Sequence, residues 1–172
     1  MNGILKKSDF GKTNNYAESY VRRDLINSEL AEDLKKEFGD KLVPISLDLT
    51  SMDGFKDYGS VEGDILAIPN IQLLMKFGES IPLIDNWYWL ANPNQTPKRN
   101  DARYGRCVSS NGNVSYDGCR WGGGGVRPFW IGRRMKVRET LKLESRYQKN
   151  KQPFLIQKCQ DKYKGTKYYD RR

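Results

Sequence analysis

Charge is distributed unevenly along this 172-residue chain, which indicates a folded domain followed by a basic extension. Residues 1–131 carry 16 Lys and Arg against 17 Asp and Glu, whereas residues 132–172 carry 14 against 4. A nearly neutral segment of this length is sufficient for one domain with its own core. The strongly basic extension suits an anionic partner, most commonly nucleic acid, but it also suits a solvated tail that only adds solubility.

The absence of histidine and the spacing of three cysteines narrow the available chemistry. Without histidine there is no Ser-His-Asp or Cys-His arrangement and no histidine-ligated metal. Cys107, Cys119 and Cys159 are 12 and 40 residues apart, unlike the closely spaced ligand pairs of zinc sites, and are expected to be free thiols. The sequence therefore favours a protein that is not an enzyme, with no cofactor and no metal. No apolar leader or membrane-length apolar run is present, which predicts a cytoplasmic protein.

Hydrophobic spacing predicts two helices near the N-terminus and mainly strands after them. The first helix is expected from Tyr16 with Asn14 or Asn15 as its cap, and the second from Ser28 to Gly39. Asn111-Gly112 predicts a hairpin turn between strands at 103–109 and 113–116. The other expected elements are strands over 42–50, 63–68 and 81–90 and a short helix over 71–78.

Aromatic residues and a glycine run distinguish the segment 87–131. Trp87, Trp89 and Trp130 favour core positions over a ligand-stacking role, because large aromatic side chains dominate protein cores. Gly122–Gly125 predicts either a flexible loop or a close approach of the backbone to another group. A phosphate-binding role is disfavoured, since no Lys-Ser/Thr pair and no helical pattern follow the glycines.

Three stretches of sequence carry a family resemblance: the helix segment Asp9–Asn27, the stretch Leu42–Gly59, and Phe77 through Trp87-Tyr88-Trp89-Leu90 to Gly125-Val126-Arg127-Pro128. Over roughly residues 8–131 the chain resembles a domain family of unassigned function found in Gram-positive bacteria, their phages and prophages, which has a WWL…GVRP pattern. That family is similar to the C-type-lectin-like fold of formylglycine-generating enzymes and of retroelement-diversified phage receptor-binding proteins. The resemblance implies an α+β, C-type-lectin-like fold with short antiparallel strands, two N-terminal helices and long loops.

The chain departs from the family pattern at both ends. Family members usually have an N-terminal hairpin before the first helix, and the basic extension is not part of the pattern. We therefore expect a lectin-like domain at 1–131 and a basic C-terminal extension at 132–172 that packs on it. Strands near Met135–Leu143 and Pro153–Cys159 are predicted to supply what the N-terminus lacks.

The resemblance also bears on two kinds of side chain. Buried charges are normally paired, so Arg127 is expected to be held by a carboxylate, and the family pattern indicates Asp48, Asp53 and Asp57 as candidates. The chemistry of formylglycine-generating enzymes needs a copper-binding cysteine pair. Cys107 instead lies where the family tolerates many residue types, so an oxidising role for it or Cys119 is disfavoured.

In lectin-like folds the loops form the binding face, which here implies Ala91–Arg103 and Asn111–Gly125. Amide, aromatic and arginine side chains make good contact surfaces, although the same loops would also suit an ordinary polar surface. Asn92, Asn94 and Gln95 lie among them. The candidate partner-binding residues are the cationic and aromatic side chains of the loops and the extension: Lys98, Arg99, Arg103, Tyr104, Tyr116, Arg120, Trp121, Arg133, Arg134, Lys136, Arg138, Arg146, Lys149, Lys151, Lys162, Lys164 and Lys167.

These observations predict a non-enzymatic phage or mobile-element protein that binds a host protein or ribonucleoprotein in the bacterial cytosol. An anti-CRISPR inhibitor of a Cas9-type nuclease fits this class, with DNA or RNA contact through the basic tail. The alternative is a phage structural or receptor-binding accessory protein that recognises a surface protein or glycan. That alternative predicts no salt-dependent binding of nucleic acid.

Overall fold

The computed structural model describes residues 6–78 and 81–133, and it confirms the α+β class over that part of the chain. The α-helices are α1 (Tyr20–Ile26), α2 (Glu29–Phe38) and α3 (Ile71–Phe77). The strands are β1 (Lys6–Lys7), β2 (Leu42–Val43), β3 (Ile45–Asp48), β4 (Ser60–Asp64), β5 (Tyr88–Pro93), β6 (Tyr104–Val108), β7 (Val114–Gly118), β8 (Gly125–Val126) and β9 (Ile131–Gly132).

Five strands form one curled sheet in the order β1-β8-β5-β6-β7, beside two separate pairs, β2–β9 and β3–β4. All of these pairings are antiparallel except β5–β8, so the expectation of antiparallel strands is wrong at that pair. The cause is the path of residues 119–124. They run beside residues 8–10, with Phe10 N–H donating to Cys119 O and Ser8 N–H to Gly124 O. The chain thereby returns to the end of the sheet where β5 begins, and β8 enters in the same direction as β5.

The predicted helix from Tyr16 is interrupted at Ser19. Asn15 caps only a short 3₁₀ turn over Tyr16–Glu18, and Ser19 adopts an extended conformation that ends it. The Ser19 hydroxyl then accepts the N–H of Arg22 at the start of α1. The second helix is confirmed with both predicted caps, since Ser28 accepts the N–H of Ala31 and Gly39 follows at a φ of 42°.

Three strand predictions are wrong in their bounds. Pro44 divides the predicted strand over 42–50 into β2 and β3, which pair with different partners. The predicted strand over 63–68 is instead β4, and Gly63, at a φ of 84°, is skipped in its register with β3. In the predicted strand over 81–90, pairing begins only at Tyr88. The short helix after Asn70 and the Asn-Gly hairpin are confirmed.

The five-stranded sheet has apolar contacts on both faces. On its inner face Trp89 and Cys107 join the main core together with Phe10, α1 and α2. The other face contributes Tyr88, Leu90 and Val108 to a smaller cluster covered by α3 and Ile84. Core positions are thus confirmed for Trp89 and for Trp130, which is also buried. Trp87 is half-buried, with its ring centroid 4.8 Å from that of Trp89 in an edge-to-face contact.

An N-terminal strand does join the sheet, because Lys6 and Lys7 of β1 pair with Val126 and Gly125 of β8. β1 therefore places a strand before the first helix, where the sequence pattern indicated that the family's hairpin was missing. At the other end, β9 includes Gly132, and Arg133 N–H donates to Lys41 O. The predicted strands at Met135–Leu143 and Pro153–Cys159, and Cys159 itself, lie outside the described residues.

Candidate binding surface on the β6–β7 hairpin

A partly exposed group of aromatic and cationic side chains lies on the outer face of the β6–β7 hairpin. Strand alternation turns Gly105 and Cys107 inward, and a Cβ on Gly105 would lie 3.4 Å from the Trp89 ring. The opposite face of the same strands carries Tyr104, Arg106, Val114 and Tyr116, which we call the hairpin face. The register places Tyr116 opposite Arg106 and Val114 opposite Val108.

The side chains of the hairpin face contact one another. The rings of Tyr104 and Tyr116 meet edge-to-face, with centroids 5.6 Å apart and planes at 82°. The guanidinium carbon of Arg106 lies 5.7 Å from the Tyr116 centroid, and that of Arg103 lies 5.3 Å from the Tyr104 centroid. Tyr116 remains 54% exposed despite these contacts. Ordered, exposed tyrosine and arginine side chains are the residue types that dominate binding energy in protein interfaces.

Arg106 lies half-buried beneath this pair. Its Nε–H has no hydrogen-bond partner within residues 6–78 and 81–133, and burial lowers the pKa of its guanidinium. Arginine nevertheless stays charged at neutral pH because its ordinary pKa is so high. The hairpin face therefore holds a positive charge close to the Tyr116 ring, which favours a partner with acidic, amide or aromatic groups.

The predicted loop cations are largely neutralised by neighbouring carboxylates. Lys98 Nζ lies 2.9 Å from Asp57 Oδ1, and this contact is the main cause of the lowered pKa of Asp57. Arg99 lies 3.7 Å from an Asp53 oxygen, with its guanidinium carbon 4.8 Å from the Phe55 ring centroid. A third cation, Arg103, lies 3.4 Å from an oxygen of Asp101. The loop between β5 and β6 is consequently not a uniformly positive patch.

The structure brings only some of the predicted residues together. Tyr104 and Tyr116 meet at the hairpin face with Arg103 beside the Tyr104 ring, whereas Lys98 and Arg99 lie on the 3₁₀ turn Pro97–Arg99. Arg120 and the 62%-exposed Trp121 lie on the segment that returns the chain to β8, and Arg133 is exposed after β9. The remaining predicted residues lie outside the described part of the chain: Arg134, Lys136, Arg138, Arg146, Lys149, Lys151, Lys162, Lys164 and Lys167.

Two buried asparagines hold neighbouring segments together by hydrogen bonds. Asn92, placed among the binding loops by its sequence position, lies in β5 and is 1% exposed; it accepts the N–H of Ile71 and donates to Thr50 O. Asn14 is fully buried, donates to Gln95 O and Tyr104 O, and accepts the hydroxyl of Tyr58. Sequence pattern marked Asn14 only as a possible helix cap and gave no sign of these long-range bonds.

The expected pairing of Arg127 with a carboxylate is wrong. Arg127 is buried at 2% exposure, its Nη2 donates to Pro82 O at 2.9 Å, and its guanidinium carbon lies 4.8 Å from the Tyr88 ring centroid. Burial lowers its pKa. The three candidate carboxylates are engaged elsewhere: Asp48 with Thr50, Asp53 with Ser51 and Arg99, and Asp57 with Lys98.

Two buried thiols and the acidic side chains bear on the chemistry of the described residues. Cys107 and Cys119 are free and buried, and burial raises their pKa values to about 11 and about 12, so neither is a thiolate at neutral pH. Among residues 6–78 and 81–133, no group of three or more cysteine and carboxylate side chains is placed to hold a metal ion. Nor does any helix there have the length and apolar content needed to cross a membrane.

Comparison with known proteins adds no relative: no family model matches the chain, and no curated protein or solved structure does. The function of the chain is therefore inferred from its own residues and their geometry.

Proposed function

We propose that this protein is a non-enzymatic binding protein that engages a host nucleoprotein, with its hairpin face on the protein component and its basic extension on the nucleic acid. The observation that carries the proposal is the contact between the half-buried Tyr104 and the exposed Tyr116, with Arg103 and Arg106 against their rings. Mutually packed side chains lose less conformational freedom on binding than isolated ones, so they favour a defined contact.

The distribution of charge supports this division of roles. Carboxylates pair with Arg103 beside Tyr104 and with Lys98 and Arg99 on the loop between β5 and β6, so these parts of the domain favour recognition of a protein over capture of a bare polyanion. The extension, by contrast, carries 14 cations against 4 acidic residues. Cations in that number release counterions from a nucleic-acid backbone and give salt-dependent affinity.

The proposed target class is an RNA-guided nuclease of the Cas9 type, which would make the protein an anti-CRISPR inhibitor from a phage or mobile element. Support comes from the resemblance to a phage and prophage domain family and from the combined aromatic and basic surfaces. We further propose that the α+β domain is C-type-lectin-like. Two N-terminal helices, short strands and a strand from the N-terminus beside β8 support that assignment.

A binding assay with a guide-loaded Cas9-type nuclease tests the proposal. We expect co-elution of the full chain at moderate salt and at least a tenfold weaker affinity for Tyr116→Ala, because a central aromatic contact contributes about 2 kcal/mol or more. Met75→Ala is the matched control, since Met75 is also an exposed apolar side chain but lies on α3. Absence of co-elution would reject this target, and equal affinities of the two variants would reject the hairpin face.

The exposed Trp121 favours a second candidate function, recognition of a surface glycan or protein by a phage structural or receptor-binding accessory protein. An indole in open solvent can stack on a sugar ring, and Gly123 lies close beside it, since a Cβ there would be 2.9 Å from the Trp121 Nε1. This candidate predicts glycan binding that Trp121→Ala abolishes and that salt leaves unchanged. Glycan-array binding of the full chain and this variant separates the two functions.

A further inference from the structure

Strand β7 forms one edge of the five-stranded sheet, and one side of its backbone is open. Cys119 N–H donates to Arg103 O and Ser109 N–H to Asn113 O, in the same register that pairs β6 with β7. Because hydrogen-bonded pairs alternate with non-bonded pairs in an antiparallel ladder, every second residue of β7 turns its N–H and C=O away from β6. These residues are Val114, Tyr116 and Gly118.

The open stretch of this edge is short. Gly118 is closed off, because its N–H donates to Asp117 Oδ1 at 2.7 Å and its carbonyl oxygen accepts the N–H of Trp121 at 2.9 Å. Within residues 6–78 and 81–133, no group bonds to the outward N–H and C=O of Val114 or Tyr116, and both side chains are exposed. Unpaired strand edges of this kind are templates for the addition of another strand.

We propose that β7 pairs antiparallel with β7 of a second copy of this chain, about a two-fold axis at Ser115. In this register Val114 of each copy lies opposite Tyr116 of the other, so each outward N–H donates to an outward C=O across the axis. The two exposed side chains would also cover each other, and a β-branched residue opposite an aromatic one is a favourable cross-strand pair. The two five-stranded sheets would thereby join into one continuous sheet.

The neighbouring two-fold registers leave hydrogen-bonding groups without a partner. An axis at Val114 would set Tyr116 against Gly112, whose N–H already donates to Ser109 O at 2.9 Å. An axis at Tyr116 would set Val114 against Gly118, whose N–H already donates to a carboxylate. The axis between these two positions is therefore the one that uses every open group of the edge.

Side-chain complementarity favours a second copy over a strand of unrelated sequence. Asp117 lies opposite Asn113 of the second copy, so like charges do not meet across the axis. Pairing over so few residues buries less area than the roughly 1,200 Å² of a stable interface, so we expect a weak dimer. The pairing does not depend on the proposed function, but it would cover Tyr116 and therefore compete with a target bound at the hairpin face.

Disulfide trapping in the full chain tests the register. Ser115→Cys is made together with Cys107→Val, which removes the thiol opposite it in β6, and Cys159→Ser. Opposed non-bonded positions have Cα atoms about 4.5 Å apart, which a disulfide can span. Asn113→Cys in the same background is the matched control, because this exposed position would lie about 14 Å from its counterpart. We expect at least about tenfold more linked dimer from Ser115→Cys under mild oxidation. Equal yields, or no link, would overturn the proposal.

Sedimentation of the original chain tests the association without a cross-link. The measurement is made at about 0.3 M salt, which screens the repulsion between two basic chains. We expect an average mass that rises with protein concentration. Val114→Lys should raise the dissociation constant at least about tenfold, because a lysine on a strand edge opposes pairing. Met75→Lys adds the same charge at an exposed position of α3 and should leave it unchanged. A chain that stays monomeric leaves the edge to another kind of strand and overturns the proposal, as do equal effects of the two variants.

Discussion

Gly124 lies directly against the indole of Trp89: a Cβ on Gly124 would be 2.0 Å from Trp89 Nε1. The same Nε1–H donates to Ser8 O at 2.9 Å, and Ser8 N–H donates to Gly124 O at 2.9 Å. The glycine run is therefore a point of close approach rather than a flexible loop. It lets residues 119–124 cross Trp89 and bring β8 into the sheet beside β5.

Gly124→Ala should destabilise the domain by about 3 kcal/mol or more, because overpacking in a fixed core typically costs 1–3 kcal/mol and here the Cβ has no room at all. The free energy of unfolding in urea measures this. Gly118→Ala is the matched control, since a Cβ at Gly118 meets nothing within 4 Å and its φ is not positive. Equal stability of the two variants would show that Trp89 and Gly124 are not in contact.

Asn14→Ala should lower the free energy of unfolding by about 2–4 kcal/mol, because it leaves Gln95 O, Tyr104 O and the Tyr58 hydroxyl without their common partner. Tyr58→Phe removes one of these bonds and should cost about 1 kcal/mol. Urea denaturation of both variants gives the comparison. A loss for Asn14→Ala no larger than that for Tyr58→Phe would contradict a buried clamp.

Arg22→Lys should cost about 1–2 kcal/mol, because lysine cannot reproduce a two-bond contact with a carboxylate. Arg22 donates to both oxygens of Asp64, at 2.7 and 3.0 Å, and also to Ala17 O, which ties α1 to β4. Arg23→Lys is the control, since its pair with Asp24 is exposed and such pairs contribute little. Thermal midpoints measured side by side should fall clearly only for Arg22→Lys.

Alkaline pH should destabilise the fold from about pH 9 upward. Burial raises the pKa of Cys107 to about 11 and of Cys119 to about 12, whereas an unfolded thiol ionises near 9.0. Between these values the folded state keeps protons that the unfolded state has released, so stability falls as pH rises. Urea midpoints between about pH 8 and pH 11 should decline, and Cys107→Val with Cys119→Val should make the decline shallower. A slope unchanged in that double variant would rule out the two thiols as its source.

The sequence correctly predicted those elements that depend on a few adjacent residues. Ser28 and Gly39 delimit α2, and Asn111-Gly112 forms the turn of the β6–β7 hairpin, because caps and turns depend on a few adjacent residues. The register of β3 and β4 was not predictable in this way, since Gly63 is skipped only once Ile45 pairs with Asp64.

The candidate site was predictable only in part, because its geometry depends on contacts between separate parts of the chain. Sequence indicated Arg103, Tyr104 and Tyr116, but not Arg106 or Val114, whose exposure depends on which side of the hairpin meets Trp89. Pairing of Lys98 with Asp57 across 41 positions has no local signal. A carboxylate partner was expected for Arg127 because buried charges are normally paired, and its three candidates came from the family pattern alone. In the structure the Tyr88 ring and Pro82 O contact the Arg127 guanidinium in place of a carboxylate.

The most direct test of the two-surface account is the affinity of the full chain for a guide-loaded Cas9-type nuclease across salt concentrations of about 50–200 mM. We predict that replacing Lys162, Lys164 and Lys167 with Gln lowers the slope of log affinity against log salt by about 2–3, as expected for three lost phosphate contacts. Tyr116→Ala should instead weaken binding about equally at every salt concentration and leave the slope unchanged. A salt-independent affinity, or a Tyr116→Ala variant that binds as tightly as the original chain, would contradict the account.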